Sequence, residues 1–169
     1  AASDVYKRQG FDTLVEAFRI FAQRNSDWKL LLVGDGEELP TIKNKIKKYG
    51  LEKRIYTPGK TSDIKEYFLQ SSVLLLPSRW EGMPMIVLES LEMGCPIVAF
   101  DIDAMRPLVT NGMEGLIVKE KQDANAYAQA MLKIAESEDL RKQMHQASIK
   151  KANRFSVDKI MNEWEKLFK

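Results

Sequence analysis

Apolar residues recur along the chain in two alternating patterns, one helical and one strand-like. From Phe11 to Phe21 they fall at helical spacing, whereas the runs at 28–33, 73–76 and 96–100 are short and mostly apolar. Continuous apolar runs of this length are typical of strands buried on both faces of a parallel sheet. Their alternation with helices predicts an α/β protein with a doubly wound, Rossmann-like parallel sheet.

The remaining elements follow from the same patterns and from the residues that punctuate them. We predict further strands at 55–57 and 115–118, and helices at 11–21, 40–49, 64–70, 84–93, 123–137, 139–153 and 157–168. Pro58-Gly59 predicts a turn, and Asp63 is suited to cap the helix that follows it. Ligands of such sheets bind at the carboxyl ends of the strands. The loops that begin there are 34–36, 58–62, 77–84 and 101–106.

The order of elements also predicts where the sheet is incomplete. In a doubly wound sheet of strand order 3-2-1-4-5-6 the first strand is central, and here the first element is the helix that follows it. We therefore expect the strands at 30–33 and 73–76 to flank the position of a missing first strand. Residues 4–9, D-V-Y-K-R-Q, resemble the read-through of a sequencing adapter. We interpret residues 1–9 as a non-native leader and 10–169 as one domain. Residues 1–6 are expected either to enter the open position or to leave it empty.

Composition limits the classes of protein that the chain can represent. Its 169 residues are 44% hydrophobic and 30% charged, as in a globular domain, and the net charge of +2 is too small to indicate a nucleic-acid partner. Residues 141–169 hold eight Lys/Arg against three Asp/Glu. We interpret them as a solvated helical surface, with peripheral contact to a membrane surface or an acidic partner as the alternative. No apolar run approaches the roughly 20 residues of a membrane span, which favours a cytoplasmic location.

The sequence lacks the residues that several common kinds of catalytic or metal site require. His145 is the single histidine and Cys95 the single cysteine, so no histidine pair or thiolate cluster can bind a metal. We expect a satisfied or solvated histidine and an inert core thiol. Gly34-Asp35-Gly36 lacks the third glycine of a dinucleotide fingerprint and the lysine of a P-loop, and indicates a tight turn. We expect no metal and no other cofactor.

The segment 77–94 is the most informative part of the sequence. Glu81 ends a loop after an apolar strand, Gly82 and Pro84 open a helix, and Glu89 lies inside that helix. Backbone N–H groups at a helix start bind anions, while carboxylates repel phosphate and accept hydrogen bonds from hydroxyls. The pattern therefore predicts a ligand with a central anionic group between hydroxyl-bearing groups, as in a nucleotide sugar. The alternative is that both glutamates are solvated helix carboxylates.

The motifs of residues 10–169 together resemble the nucleotide-sugar domain of the retaining glycosyltransferases of GT-B fold, family 4, also called glycosyl transferases group 1. They are G-F-D-T-L-V-E-A-F at 10–18, L-L-L-V-G-D-G-E-E-L at 30–39, Y-T-P-G at 56–59, V-L-L-L-P-S-R-W-E-G-M-P-M-I-V-L-E-S at 73–90, G-C-P-I-V-A-F-D at 94–101 and N-G-M-E-G-L-I-V at 111–118. The family hallmark, two glutamates with seven residues between them, falls on Glu81 and Glu89. The resemblance implies that the chain is the C-terminal, donor-binding half of such an enzyme.

The resemblance also implies roles for individual residues. Glu89 would accept hydrogen bonds from the ribose, and Glu81 would act catalytically at the transferred sugar. The backbone N–H groups of the segment Gly82-Met83-Pro84-Met85 would meet the sugar or the diphosphate. Lys60 and Thr61 would border the base. The family's Arg and Lys that neutralise the diphosphate precede the position of Gly10, and the 101–109 loop lacks the family's paired small residues.

By the same resemblance the reaction is transfer of a sugar from a UDP- or GDP-sugar to an acceptor, with retention and no required metal. The acceptor, a glycan or glycolipid of a bacterial surface polysaccharide, would bind an N-terminal domain, so the isolated fragment should be inactive. The membrane contact would then lie at the inner face of the membrane. Two alternatives stay open: a sugar-nucleotide epimerase of similar fold, and a non-catalytic nucleotide-sugar-binding module.

Overall fold

Helices alternate with short parallel strands in the computed structural model, which describes residues 9–168. In chain order the elements are α1 (Phe11–Ala22), β1 (Leu30–Val33), α2 (Leu39–Lys48), β2 (Ile55–Gly59), α3 (Ile64–Gln70), β3 (Leu74–Leu76), α4 (Met85–Glu92), β4 (Ile97–Phe100), β5 (Gly115–Val118), α5 (Ala124–Ala135), α6 (Glu138–Ala152) and α7 (Val157–Leu167). Two 3₁₀ turns, Asp103–Met105 and Asn153–Phe155, accompany them. The predicted α/β class and the existence of every predicted element are confirmed.

The strands form two parallel sheets. β1 pairs with β2, with Leu30 opposite Ile55, and β4 lies between β3 and β5 in the second sheet. All four residues of β4 are buried, because it is the central strand of that sheet and helices pack on both of its faces. A parallel sheet covered in this way is the Rossmann-like arrangement that the alternation predicts.

Two buried clusters cover the two faces of the sheets. The larger joins α1 and α5, with Phe18 and Phe21 fully buried on α1. Tyr127 of α5 donates a hydrogen bond of 2.7 Å from its hydroxyl to the Val98 carbonyl of β4. The smaller cluster packs α4 and the 102–109 segment against the other face of β4. These contacts hold α1 and α4 against the sheets.

A slot separates the two sheets where the first strand of the fold is expected. Among residues 9–168 no strand pairs with the edges of β1 and β3 that face this slot. The cavity between them has a volume of about 890 Å³ and is lined by Leu30 and Leu32 on one side and by Leu75 on the other. The observed order, β2-β1-slot-β3-β4-β5, therefore matches the predicted order with its first strand left out. The prediction for residues 1–6 lies outside the described residues.

The structure corrects two details of the first sheet. The sequence predicts that β1 is buried on both faces, but Leu31 is 40% exposed and its register partner Tyr56 is 41% exposed. These two side chains share a face of the β1–β2 pair that is only partly covered. Pro58 and Gly59 do not form the predicted turn and instead extend β2 to Gly59. Proline is tolerated there because β2 is the edge strand of its sheet.

The last helix is exposed, as predicted for a solvated helical surface, but it also carries a row of apolar side chains. None of the residues of α7 is buried, and its apolar side chains recur at helical spacing and stay exposed. These side chains are Val157, Ile160, Met161, Trp164 and Leu167. Over residues 9–168, no helix combines the length and the apolar character that crossing a membrane requires.

Filling the slot should stabilise the fold. We expect a polypeptide extended upstream of Gly10 by about 15 residues, enough for an apolar strand and its loop, to melt above the 169-residue chain. Burying even one large apolar side chain contributes about 1.5–3 kcal/mol, and 1 kcal/mol shifts the melting temperature by about 2–4 °C in a domain of this size. Thermal melts of the two polypeptides measure the difference. A Gly/Ser extension of equal length is the control, and equal melting temperatures for all three would contradict the assignment of the slot.

Candidate functional site

The loop between β3 and α4 is held tightly against the start of α1. Gly10, just before α1, has φ of 71°, and a Cβ placed on it would lie 2.1 Å from the Pro77 carbonyl oxygen. Only glycine permits this approach, because both the left-handed backbone and the short distance exclude a side chain. Pro77 and Ser78 are buried as a result. The loop therefore leaves the carboxyl end of β3 in a fixed direction.

The start of α4 differs from the prediction by one position. Pro84 precedes the helix as its N-cap, with ψ of 92°, and Met85 is the first helical residue. Pro84 is buried, whereas Gly82, Met83 and Met85 are exposed. Within residues 9–168, the N–H groups of these three exposed residues donate to no backbone carbonyl. A helix start with exposed N–H donors and a positive dipole end can bind an anion.

The two glutamates lie on either side of this helix start. Glu81 precedes it in the loop, and its Oε1 accepts a hydrogen bond of 2.6 Å from the Ser78 hydroxyl. Glu89 lies in the second turn of α4 and is partly exposed. Glu81 is thus oriented by a buried partner, while Glu89 presents its carboxylate at the surface. Both carboxylates can accept hydrogen bonds from hydroxyl groups of a ligand.

Lys60 and Thr61 lie after β2, in the loop that leads to α3. Lys60 is exposed, and the Thr61 hydroxyl accepts a hydrogen bond of 3.0 Å from the Asp63 N–H. Asp63 in turn caps α3 by accepting from the Lys65 N–H, as predicted. Carboxyl ends of parallel strands meet at one edge of a doubly wound sheet. The fold therefore brings these two residues to the same edge as Glu81, although β2 and β3 belong to separate sheets.

Sequence reasoning missed the polar contacts that fix the loop. Arg79 forms an ion pair of 2.8 Å with Asp12, a residue 67 positions earlier in the chain, and Ser78 orients Glu81. Asp12, Ser78 and Arg79 all lie within motifs that the sequence singles out, at 10–18 and 73–90. Their pairing could not be found from spacing, because it depends on how α1 packs beside β3.

The loop at 101–109, which departs from the family pattern, is also held by charge. Arg106 donates to Asp101 over 3.2 Å and lies 3.0 Å from Asp103. The 3₁₀ turn Asp103–Met105 lies in this loop, with Met105 completely buried. The pair between Arg106 and Asp101 therefore links the end of β4 to the loop that follows it.

His145 and Cys95 have structural surroundings, as expected. The Nδ1 atom of His145, on α6, lies 2.9 Å from the carbonyl oxygen of Gly94, just past the end of α4. Cys95 is buried, and this burial raises the pKa of its thiol to about 11. Neutral thiols are poor nucleophiles at ordinary pH. Over the part of the chain that the structure describes, no three His, Cys, Asp or Glu residues are grouped so that they could hold a metal ion.

Comparison with known proteins supports the interpretation of these motifs. The family model described as "Glycosyl transferases group 1" matches residues 2–151. An uncharacterised glycosyltransferase of Haemophilus influenzae is 30% identical over 162 residues, which are 95% of this chain and 46% of that protein. The amylovoran biosynthesis glycosyltransferase AmsD of Erwinia amylovora is 34% identical over 137 residues, 81% of this chain and 38% of that protein.

A solved structure shows the same fold. A mutant of TarM from S. aureus, in complex with fondaparinux, alpha-GlcNAc-glycerol and UDP, superposes with a TM-score of 0.88 at 20% identity. The match covers 95% of this chain and 33% of that one. The chain thus spans less than half the length of these relatives. Because the family model covers most of its residues and the motifs stand in order on the expected fold, the chain belongs to the glycosyl transferases group 1 family.

Proposed function

We propose that this chain is the donor-binding, C-terminal half of a retaining glycosyltransferase that uses a nucleotide sugar. The observation that carries the proposal is the exposed start of α4, with one glutamate before it and another inside it, at the carboxyl edge of a parallel sheet. The chain belongs to a glycosyltransferase family, and the TarM structure that shares its fold holds UDP. In this proposal the domain consists of residues 10–169, with residues 1–9 as a non-native leader.

The proposed ligand contacts follow the chemistry of each group. Exposed N–H groups of Gly82, Met83 and Met85 donate to the sugar or the diphosphate, where the dipole of α4 favours negative charge. Glu89 accepts hydrogen bonds from the ribose, and Glu81 accepts them from the transferred sugar. Lys60 and Thr61 border the base from the loop after β2. Pro84 sets the direction of the helix start and donates nothing.

The reaction breaks the bond between the anomeric carbon and an oxygen of the diphosphate. Positive charge develops on the sugar ring and negative charge on the departing diphosphate. The N-terminus of α4 stabilises the departing group, because its dipole is already aligned with the charge that develops. The acceptor oxygen forms a bond to the anomeric carbon with retention of configuration, and its proton passes to the departing diphosphate. A second domain holds the acceptor, a glycan or glycolipid, so the isolated chain binds the donor without turning it over.

The proposed setting is the synthesis of a bacterial cell-surface polysaccharide in the cytoplasm, at the inner face of the membrane. AmsD, one of the similar proteins, is named for amylovoran biosynthesis. The basic end of α6, Lys150-Lys151, suits contact with an anionic surface.

A non-catalytic nucleotide-sugar-binding module is the second candidate. Such a module would make the same contacts with the nucleotide sugar as the proposed enzyme, but it would not transfer the sugar. The orientation of Glu81 by the buried Ser78 hydroxyl favours the enzyme, since simple retention of the nucleotide would not need a fixed carboxylate beside the sugar. An epimerase would need an acid or base at the anomeric region, and His145 cannot serve there because it is hydrogen-bonded to Gly94 at the far end of α4.

Glu89 should contribute more to nucleotide affinity than any other side chain of the site. We expect Glu89→Ala to weaken the binding of UDP or GDP about ten- to hundredfold, because a hydrogen bond to a charged group is worth about 1.5–3 kcal/mol. Isothermal titration calorimetry measures this change. Glu92→Ala is the matched control, since it removes an exposed carboxylate from the same helix. Unchanged affinity of Glu89→Ala for both nucleotides would remove Glu89 from the site.

Glu81 should distinguish the intact donor from the free nucleotide. We expect Glu81→Gln to weaken the binding of UDP-glucose or GDP-mannose about tenfold and to leave UDP and GDP unaffected, because the carboxylate faces the sugar. The same calorimetry measures both ligands. If the nucleoside diphosphate and the nucleotide sugar lose affinity equally, Glu81 acts on the phosphates or on the fold instead.

Activity should not depend on a divalent metal. We expect an enzyme that joins this domain to its acceptor-binding half to keep its full rate in excess EDTA, because fixed dipoles and protein cations stabilise the diphosphate. The measurement is the rate of sugar transfer before and after chelation. A loss of rate that Mn²⁺ or Mg²⁺ restores would contradict this mechanism.

A further inference from the structure

We propose that the ion pair between Arg79 and Asp12 positions Glu81, and thereby controls how the site distinguishes a nucleotide sugar from the free nucleotide. Arg79 and Asp12 are positioning residues, because they act through Glu81 and do not themselves contact the ligand. The identity of the ligand rests on the proposed function above, whereas the ordering of the loop does not.

The pair ties the loop after β3 to the first turn of α1. The Nη2 atom of Arg79 lies 2.9 Å and 2.8 Å from the two carboxylate oxygens of Asp12, and 3.3 Å from the hydroxyl oxygen of Thr13. Only 24% of the Arg79 side chain is exposed. One nitrogen therefore contacts both oxygens of the carboxylate, in a hydrogen bond strengthened by the charges of both groups.

Two features of α1 and α2 stabilise the charge and the backbone of Asp12. It lies in the first turn of α1, where the helix dipole favours a negative charge. Its backbone carbonyl accepts a hydrogen bond of 2.8 Å from the Lys45 ammonium group on α2. The backbone of Asp12 is thus held in the α1–α2 layer, while its side chain is 49% exposed and is oriented by Arg79.

Glu81 lies two residues after Arg79 and depends on the loop that Arg79 holds. Pro77 is fixed by its contact with Gly10, and Arg79 by Asp12. Ser78 lies between these two points, is 1% exposed, and donates the hydrogen bond that orients Glu81. Releasing Arg79 from Asp12 weakens the second of these attachments, in which Thr13 also takes part. Ser78 and Glu81 then lose their common orientation, although the fold around β3 remains.

The donor contacts should respond unequally to this release. Glu89 lies on α4, which is packed against β4 and α6 independently of the Arg79 contact. The ribose contact should therefore persist while the sugar contact weakens. Losing one hydrogen bond to a charged group weakens binding about tenfold, so a change of about this size is expected for the intact donor.

Amide hydrogen exchange of the free 169-residue chain tests the structural part without any ligand. We expect Arg79→Gln to speed exchange of the amide of the buried Ser78 about tenfold, since local opening sets the exchange rate of a buried amide, and to leave the amides of β4 unchanged. Arg19→Gln is the matched control, because it breaks an ion pair with Glu16 on the same α1 helix and does not reach the loop. Asp12→Asn removes the charge of the partner and should reproduce the effect even if Arg79→Gln folds poorly. Unchanged exchange of the Ser78 amide in both variants would overturn the proposal.

Calorimetry with UDP, UDP-glucose, GDP and GDP-mannose tests the functional part. We expect Arg79→Gln and Asp12→Asn to weaken the binding of a nucleotide sugar about tenfold. The binding of its nucleoside diphosphate should weaken less than about threefold. In the Glu81→Gln background, Arg79→Gln should have no further effect on the nucleotide sugar. If the role of Arg79 were purely structural, the affinity for both ligands would fall alike, and the loss caused by Arg79→Gln would add to the loss caused by Glu81→Gln. Either result would overturn the proposal. If the unmodified chain binds none of these ligands, the proposed function fails, and the exchange experiment still decides whether the pair orders the loop.

Discussion

Parallel pairing of the strands is the constraint on which the candidate site depends. Because all strands point the same way within each sheet, their following loops leave at one edge, and the start of α4 is presented there with its donors exposed. Gly10 reinforces this arrangement by allowing α1 to begin directly against Pro77. A larger residue at that position would push the loop of Glu81 away from β3. The site is thus a consequence of the sheet and of one close backbone approach, rather than of any catalytic side chain alone.

The local pattern of the sequence is sufficient for the fold but not for the contacts between distant segments. Continuous apolar runs and capping residues such as Asp63 predict the elements, and the order of elements predicts the slot beside β1. The exposure of Leu31 could not be predicted, because periodicity does not show which helices cover a face. The contacts of Ser78 and Arg79 were also missed, since they depend on the tertiary approach of α1 to the loop.

The candidate site residues also divide into those that a local pattern predicts and those that only the tertiary structure places. Glu81 and Glu89 are predicted as site residues because their spacing and the helix start between them form a local pattern, which a family resemblance makes more specific. The structure puts Glu81, Gly82, Met83 and Met85 together by sequence continuity, and Lys60 and Thr61 at the same edge by topology. It moves Pro84 from the first turn of the helix to its N-cap, because the proline has an extended ψ of 92°.

In the function proposed for this domain, the start of α4 binds the diphosphate of a nucleotide sugar between the two glutamates. Titration of the ¹⁵N-labelled chain with UDP and with GDP, followed by two-dimensional NMR, tests this most directly. We predict the largest amide shifts at Gly82, Met83 and Met85, with smaller ones near Glu89 and Thr61. Saturable shifts confined to other surfaces, such as α7 or the slot between β1 and β3, would contradict it.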